Sequence, residues 1–191
     1  VNIVGNTITD NLGVASDDST SAGVLVTTFW GAGSNAHLSG ANDVSGNTVG
    51  VHIGFDAADS STVTIVGGAF TDNTDSGIKA GGSGVKVKVA GADLTGNLVG
   101  IRVSDGAIVD AGSDNAADGD PTELGNSAGG NILTGYTGVG GNYAIEDLNL
   151  AAQSDVYAKF NDFGPYVDIS IIEDYVFDDT DHAADLFALR V

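Results

Sequence analysis

The 191-residue sequence contains no cysteine and no methionine, only two prolines and a single tryptophan. Without cysteine there is neither a disulfide framework nor a thiolate metal site. The scarcity of proline excludes a collagen-like or proline-rich linker composition. Basic residues are also few: six Lys and Arg face 26 acids, for a formal charge of −20. Six scattered cations cannot supply the dense basic patch that phosphate backbones require, so nucleic acid and anionic membrane surfaces are excluded as partners. Glu is nearly missing as well. Of the acids, 23 are Asp and three are Glu. Asp favours turns and caps whereas Glu favours helices, which argues against a helical protein. No apolar run approaches the roughly 18 residues of a membrane span, so membrane insertion is not expected. The longest run, Val24 to Trp30, suits a strand.

Glycine is abundant, at 29 residues. Much of it belongs to an internal repeat. Val63-Thr-Ile-Val-Gly-Gly-Ala-Phe-Thr-Asp-Asn73 and Val87-Lys-Val-Ala-Gly-Ala-Asp-Leu-Thr-Gly-Asn97 share one frame. Val1 to Asn11 fits it without a gap, and Ala36 to Asn47 fits with one extra residue. A second pattern follows each time: Gly50-Val-His-Ile53, Gly77-Ile-Lys-Ala80, Gly100-Ile-Arg-Val103. The unit therefore reads apolar-x-apolar-x-Gly, an apolar-Thr/Ser pair, Asn, then Gly-apolar-x-apolar. Alternation places Val63, Ile65, Phe70, Ile78 and Ala80 inside, with Thr64 and Lys79 outside. A unit of about 24–26 residues with three short strands is too short for a propeller blade and matches one coil of a parallel β-solenoid. A β-sandwich is the competing architecture, but its strands do not repeat residue by residue at fixed turn positions. Asn11, Asn47, Asn73 and Asn97 are expected at equivalent turns, stacked as an amide ladder.

These repeats resemble the right-handed parallel β-helix proteins of the broad pectate-lyase-like superfamily. The stretch Asn142 to Asn149 followed by Asp155-Val-Tyr-Ala-Lys-Phe-Asn-Asp-Phe-Gly164 is similar to the terminal coil of secreted β-helix-repeat proteins, and Ile171 to Asp178 stands where their acidic-aromatic cap follows. The resemblance implies an all-β fold, a right-handed single-stranded parallel β-helix of about five to six coils with a C-terminal acidic cap. It does not imply an activity, because this scaffold hosts lyases, hydrolases, epimerases, tailspikes and adhesins.

Residues 1–164 are read as the coils, with inserted loops at about 12–23 and 111–130. Residues 165–191 are read as the C-terminal cap, with one short helix near 169–176. The chain has no initiator Met and opens on strand-like residues, which suggests a processed product or a piece of a longer protein.

Candidate sites are sparse. His52, Lys79 and Arg102 occupy the same slot of the Gly-apolar-x-apolar strand, so they should form one outward row able to hold an acidic sugar or a partner's carboxylates. Asp56, Asp75 and Asp105 are close enough in sequence to pair with them instead. Asp114, Asp118, Asp120 and Glu123 crowd the 111–130 insertion and make it the first place to look for calcium, which takes six to eight oxygen ligands. The segment does not fit an EF-hand, since Ala116 and Gly125 stand where ligands are needed. His37 is expected on an outward strand position and His182 lies in the tail, and no histidine pair has zinc-ligand spacing. Asp56, Asp59, Asp75, Asp105, Lys79 and Arg102 are the acids and bases available for catalysis, but no catalytic motif joins them and none is assigned as catalytic. No cofactor is required, with calcium as the one optional ligand.

Two functions follow as expectations. The first is a non-catalytic β-helix module of a larger secreted or cell-surface protein, serving as spacer, adhesion rod or assembly unit. The second is a carbohydrate-active enzyme, a polysaccharide lyase or glycoside hydrolase, on the same scaffold. A sugar groove would need aromatic platforms on one outward face, whereas Trp30 is the lone tryptophan and most Phe and Tyr fall towards the tail. The expected partners are upstream coils of the same longer chain, or another copy, at the N-terminal end, with polysaccharide as a further candidate. The expected location is extracellular or at the cell surface.

Overall fold

A computed structural model of the chain describes residues 1–13, 21–31, 34–149, 156–165 and 175–177. Twelve strands run through them: β1 (Asn2–Val4), β2 (Ala22–Val26), β3 (Asn35–Ser39), β4 (Val49–Ile53), β5 (Thr62–Val66), β6 (Ser76–Gly81), β7 (Lys86–Ala90), β8 (Val99–Ser104), β9 (Ile108–Asp110), β10 (Tyr143–Asp147), β11 (Val156–Tyr157) and β12 (Val176–Phe177). The described residues contain no α-helix. The odd strands form one six-stranded sheet in the order β1-β3-β5-β7-β9-β11, and the even strands form a second in the order β12-β10-β8-β6-β4-β2. Each described strand pairing is parallel. Between the sheets runs a column of single parallel bridges, Thr7–Asp43–Ala69–Asp93–Ile132–Asp162. The chain thus passes six times through the sequence odd strand, bridge, even strand. The protein is all-β, and its two parallel sheets are compatible with a parallel β-helix.

Parallel strands need both faces accounted for, and here one face of each sheet meets the other across a shared core. Alternation does what the sequence expects. Ile3, Leu38, Ile65 and Val89 stand in one inward row of the first sheet, in register across β1, β3, β5 and β7. Val24, Val51, Ile78, Ile101, Ile145 and Val176 form the matching row of the second. The residue after each bridge completes the core, giving Ile8, Val44, Phe70, Leu94, Leu133 and Phe163; all are buried except Ile8, which packs part-buried against the cluster. Phe70 is the largest of the fully buried side chains.

Asparagine marks the turns as expected. Asn11 Nδ2 donates to Asn47 Oδ1 at 2.8 Å, the Asn47 backbone N–H to Asn73 Oδ1 at 3.0 Å, and Asn73 Nδ2 to Asn97 Oδ1 at 2.9 Å. In the next level Tyr136 stands in the asparagine slot, three residues after Leu133, and its hydroxyl donates to the Leu94 carbonyl. A second ladder runs on the other side of the bridge column. Asn6 N–H donates to Asn42 Oδ1 and Asn131 N–H to Asn161 Oδ1, both at 3.0 Å. Gly68 and Ala92 interrupt it, which hides its period in the sequence. The glycine that recurs in the repeat, at 50, 77 and 100, also has a steric reason within the fold. A Cβ at Gly77 would lie 2.8 Å from Asn97 Nδ2 and 2.9 Å from the Phe70 carbonyl, so a side chain there would collide with the ladder.

Two boundaries shift. β2 begins at Ala22, inside the loop assigned to about 12–23, because Ala22-Gly-Val-Leu-Val26 continues the apolar alternation into register with β4. Val176–Phe177 is a strand paired with Ile145 and Glu146, so the second sheet extends into the segment assigned to the cap, and position 176 is not helical. The rest of the expected helix and cap, including His182, lies outside the described residues, as do 14–20 of the first loop. β9 ends at Asp110, and the chain rejoins the bridge column at Ile132.

Candidate functional site

The outward row of the second sheet reads Leu25, His52, Lys79, Arg102, Glu146 and Phe177, aligned strand by strand from β2 to β12. The three basic residues therefore stand in adjacent strands, as the repeat frame requires. Parallel neighbours lie about 4.8 Å apart, so the like charges of Lys79 and Arg102 repel unless acids intervene. Acids do intervene at Arg102. Its Nη1 pairs with Asp75 and its Nε with Glu146. Partial burial alone would lower the Arg102 pKa, but the Glu146 hydrogen bond and the charges of Asp75 and Glu146 raise it above the ordinary value. Asp75 was among the acids near in sequence; Glu146, 44 residues away, was not.

Lys79 differs. Among the described residues it is the one Lys or Arg whose head group makes neither an ion pair nor a hydrogen bond. It faces a cleft of about 500 Å³ bounded by His52, Phe55, Asp56, Arg102 and Asp105. His52 is nearly buried in this wall. Asp56 Oδ1 accepts the Ala58 N–H and Asp105 Oδ2 accepts the Ser104 hydroxyl. The cleft can present one ammonium group among carboxylates to a polar ligand.

Phe55 forms the rim of the cleft and stacks with residues from the preceding level. Its ring centroid lies 4.7 Å from Phe29 and 5.7 Å from Trp30. Trp30 is 72% exposed. No repeat position groups these rings, since 25 residues separate Trp30 from Phe55; equivalent turns after β2 and β4 bring them together. Beneath them Asp59, 1% exposed, ties the same two turns. Its Oδ2 accepts the Thr27 hydroxyl at 2.6 Å and the Thr28 N–H at 2.9 Å, and its Oδ1 accepts the Ser61 hydroxyl at 2.6 Å. Burial would raise its pKa, but these donors outweigh burial and hold it well below the usual carboxylate range.

The comparisons with known proteins add no identity. No protein-family model, curated protein or solved structure matches the chain. The resemblance to pectate-lyase-like proteins thus rests on the repeat and on the terminal-coil pattern of the sequence.

The acidic insertion is organised by lysines. Lys86 Nζ lies 2.5 Å from Glu123 and Lys159 Nζ lies 2.7 Å from Asp118. Lys88 Nζ donates to the Leu124 carbonyl at 3.3 Å. Asp114 Oδ1 accepts the Ala116 N–H and Asp120 Oδ2 accepts the Gly125 N–H. The loop is folded back over the outer face of β7, with its acids directed to different partners. Among the described residues no three His, Asp or Glu side chains gather as a metal site requires. No helix of the described residues is long and apolar enough to cross a membrane.

Proposed function

We propose that the chain is a right-handed parallel β-helix module, one coil per odd strand, bridge and even strand, and that it works as a non-catalytic spacer, adhesion or assembly element of a secreted or cell-surface protein. Right-handed winding follows from the strong preference of parallel crossover connections for that hand. One observation carries the non-catalytic reading: Arg102, Asp75 and Asp59, three of the six charged side chains nominated for chemistry, are engaged in joining coils. Arg102 links β6, β8 and β10 through Asp75 and Glu146, and Asp59 links two successive turns. A catalytic acid or base needs a free edge towards substrate and a pKa near its working pH, whereas Asp59 is buried with its pKa pushed down. The acidity and the Asp-rich turns support an extracellular setting in which ions screen self-repulsion.

The second reading is a carbohydrate-active enzyme, favoured by the cleft with its unpaired Lys79 beside the Phe29–Trp30–Phe55 rings, since exposed aromatic faces pack well on sugar rings. Incubation with a panel of neutral and acidic polysaccharides separates the two. The module reading expects no new reducing or unsaturated ends with any polymer. Chain cleavage that is lost in Lys79→Ala would replace it with the enzyme.

A further inference from the structure

We propose that the cleft on the outer face of the second sheet binds a free basic α-amino acid, with its carboxylate on Lys79 and its two cationic groups on Asp56 and Asp105. This goes beyond the module reading and does not depend on it.

The cleft is carved where outward side chains stop. His52, Lys79 and Arg102 stand in one row, and two residues further along each strand come Gly54, Gly81 and Ser104. A Cβ at Gly54 would lie 1.8 Å from the Gly81 carbonyl oxygen, so these two backbones pack with no side chain between them. Both glycines line the cleft of about 500 Å³, and Phe55 and Leu148 add apolar walls.

Charge alternates along it. Asp56 follows β4, Lys79 lies in β6 and Asp105 follows β8, and these strands are neighbours in that order. The series is acid, base, acid, with about 10 Å between the two outer levels. None of the three is paired with an opposite charge among the described residues. Asp56 Oδ1 takes the Ala58 N–H and Asp105 Oδ2 the Ser104 hydroxyl, and no described donor reaches the other oxygen of either carboxylate. Arg102, by contrast, is already held between Asp75 and Glu146. The complement of this series is a carboxylate flanked by two cations, which is arginine or lysine as the free amino acid. Charge-assisted hydrogen bonds are roughly twice as strong as neutral ones, so a neutral sugar, which leaves all three charges without a counter-charge, is the poorer fit. A polyanion would meet two carboxylates on a chain of −20, whereas a ligand of net positive charge is drawn to it. The ligand's cationic side chain also finds the Phe55 ring, which packs against Phe29 and Trp30.

The probe is L-arginine, titrated into the full chain by calorimetry, with emission of the single tryptophan, Trp30, as a second reading. The expected result is saturable one-to-one binding that weakens as salt is raised. Agmatine lacks the carboxylate, N-acetyl-L-arginine the α-ammonium and L-citrulline the side-chain charge, and each should bind about tenfold more weakly or worse. Lys79→Met should weaken L-arginine by a similar factor without weakening agmatine. Asp56→Asn and Asp105→Asn keep the acceptor oxygens used within the chain, and each should also weaken L-arginine about tenfold. No binding of L-arginine to the folded parent overturns the proposal. Agmatine binding as tightly as L-arginine overturns it too, by reducing the cleft to a general cation site. Binding of glucose or galactose more tightly than L-arginine assigns the cleft to hydroxyl ligands instead, and full affinity in Lys79→Met places the amino acid elsewhere on the molecule.

Discussion

Asn97 Oδ1 accepts two hydrogen bonds from Asn73, one from its backbone N–H and one from its Nδ2, each at 2.9 Å. Asn73 Oδ1 does the same service for the backbone N–H of Asn47, and both asparagines are buried. Each ladder amide therefore satisfies a turn N–H that no strand partner reaches. Asn73→Ala strands the Asn47 N–H, at a cost of about 1–3 kcal/mol. Asn73→Asp keeps the acceptor but sets a carboxylate against Asn97 Oδ1, so it should destabilise too. Asn11→Ala removes an exposed side chain that accepts nothing, and should cost less than about 1.5 kcal/mol. Denaturant midpoints of the three variants give the order; equal losses at positions 11 and 73 would contradict the ladder.

Lys79 and Arg102 are neighbours in one row with opposite roles. Arg102→Ala leaves Asp75 and Glu146 without their cation, at 27% and 14% side-chain exposure. The cost falls between exposed and buried ion pairs, about 1–3 kcal/mol, and should shrink as salt is raised. Lys79→Ala breaks no contact and should leave thermal stability unchanged. Melting curves at low and high salt check both, and a large loss at Lys79 would show a partner for its ammonium group.

The features legible in the sequence are those that recur at constant spacing. Val63, Ile65, Phe70 and Ile78 are inward and Lys79 outward because period-two alternation fixes a residue's face. Asn73 and Asn97 stack because 24 residues separate them without an insertion. Where a level is irregular, the signal fails for a physical reason. Glu146 reaches Arg102 across the 111–130 loop and a further loop before Tyr143, which break the period. The ladder through Asn42 and Asn131 is masked by Gly68 and Ala92, whose levels carry no amide at that slot. Tyr136 replaces an asparagine with a side chain of different chemistry that still reaches the Leu94 carbonyl. The Phe29–Trp30–Phe55 cluster depends on the conformation of two turns, which no periodic pattern encodes.

Asp59 links stability to pH in a defined direction. Its pKa is depressed below the ordinary 3.8 by Ser61, Thr27 and Thr28 donors that outweigh burial. A carboxylate with a depressed folded pKa contributes stability that is fully present above its unfolded pKa and is lost as pH falls through the folded value. The melting temperature of the parent should exceed that of Asp59→Asn by a constant margin down to about pH 4. Below that the margin should narrow steadily. A margin that stays flat to the lowest pH at which the protein folds would mean that Asp59 is not the charged acceptor.

Ser76 interrupts the row between Val49 and Val99 with a hydroxyl that is fully buried and has no hydrogen-bond partner among the described residues. An unsatisfied buried polar group costs about 1–3 kcal/mol. Ser76→Ala removes only that oxygen, so it should stabilise the protein by about 1 kcal/mol. Urea titration at constant m-value measures the gain, and a loss of similar size would reveal a partner for the hydroxyl.

The acidic insertion gives the last prediction, because lysines and calcium compete for the same carboxylates. Asp118 is 2% exposed at its side chain and pairs with Lys159, while Glu123, 80% exposed, pairs with Lys86. A calcium ion needs several of these oxygens converging at about 2.3–2.6 Å, which would require displacing Lys159 from a buried site. Adding calcium, or stripping it with a chelator, should therefore leave the melting temperature unchanged. Lys159→Met should instead cost about 3 kcal/mol, since it leaves Asp118 buried without its cation. Lys86→Met, at an exposed pair, should cost less than about 1 kcal/mol. A calcium-dependent rise in melting temperature in the parent protein would show that the loop rearranges around the ion and that the lysine contacts give way to it.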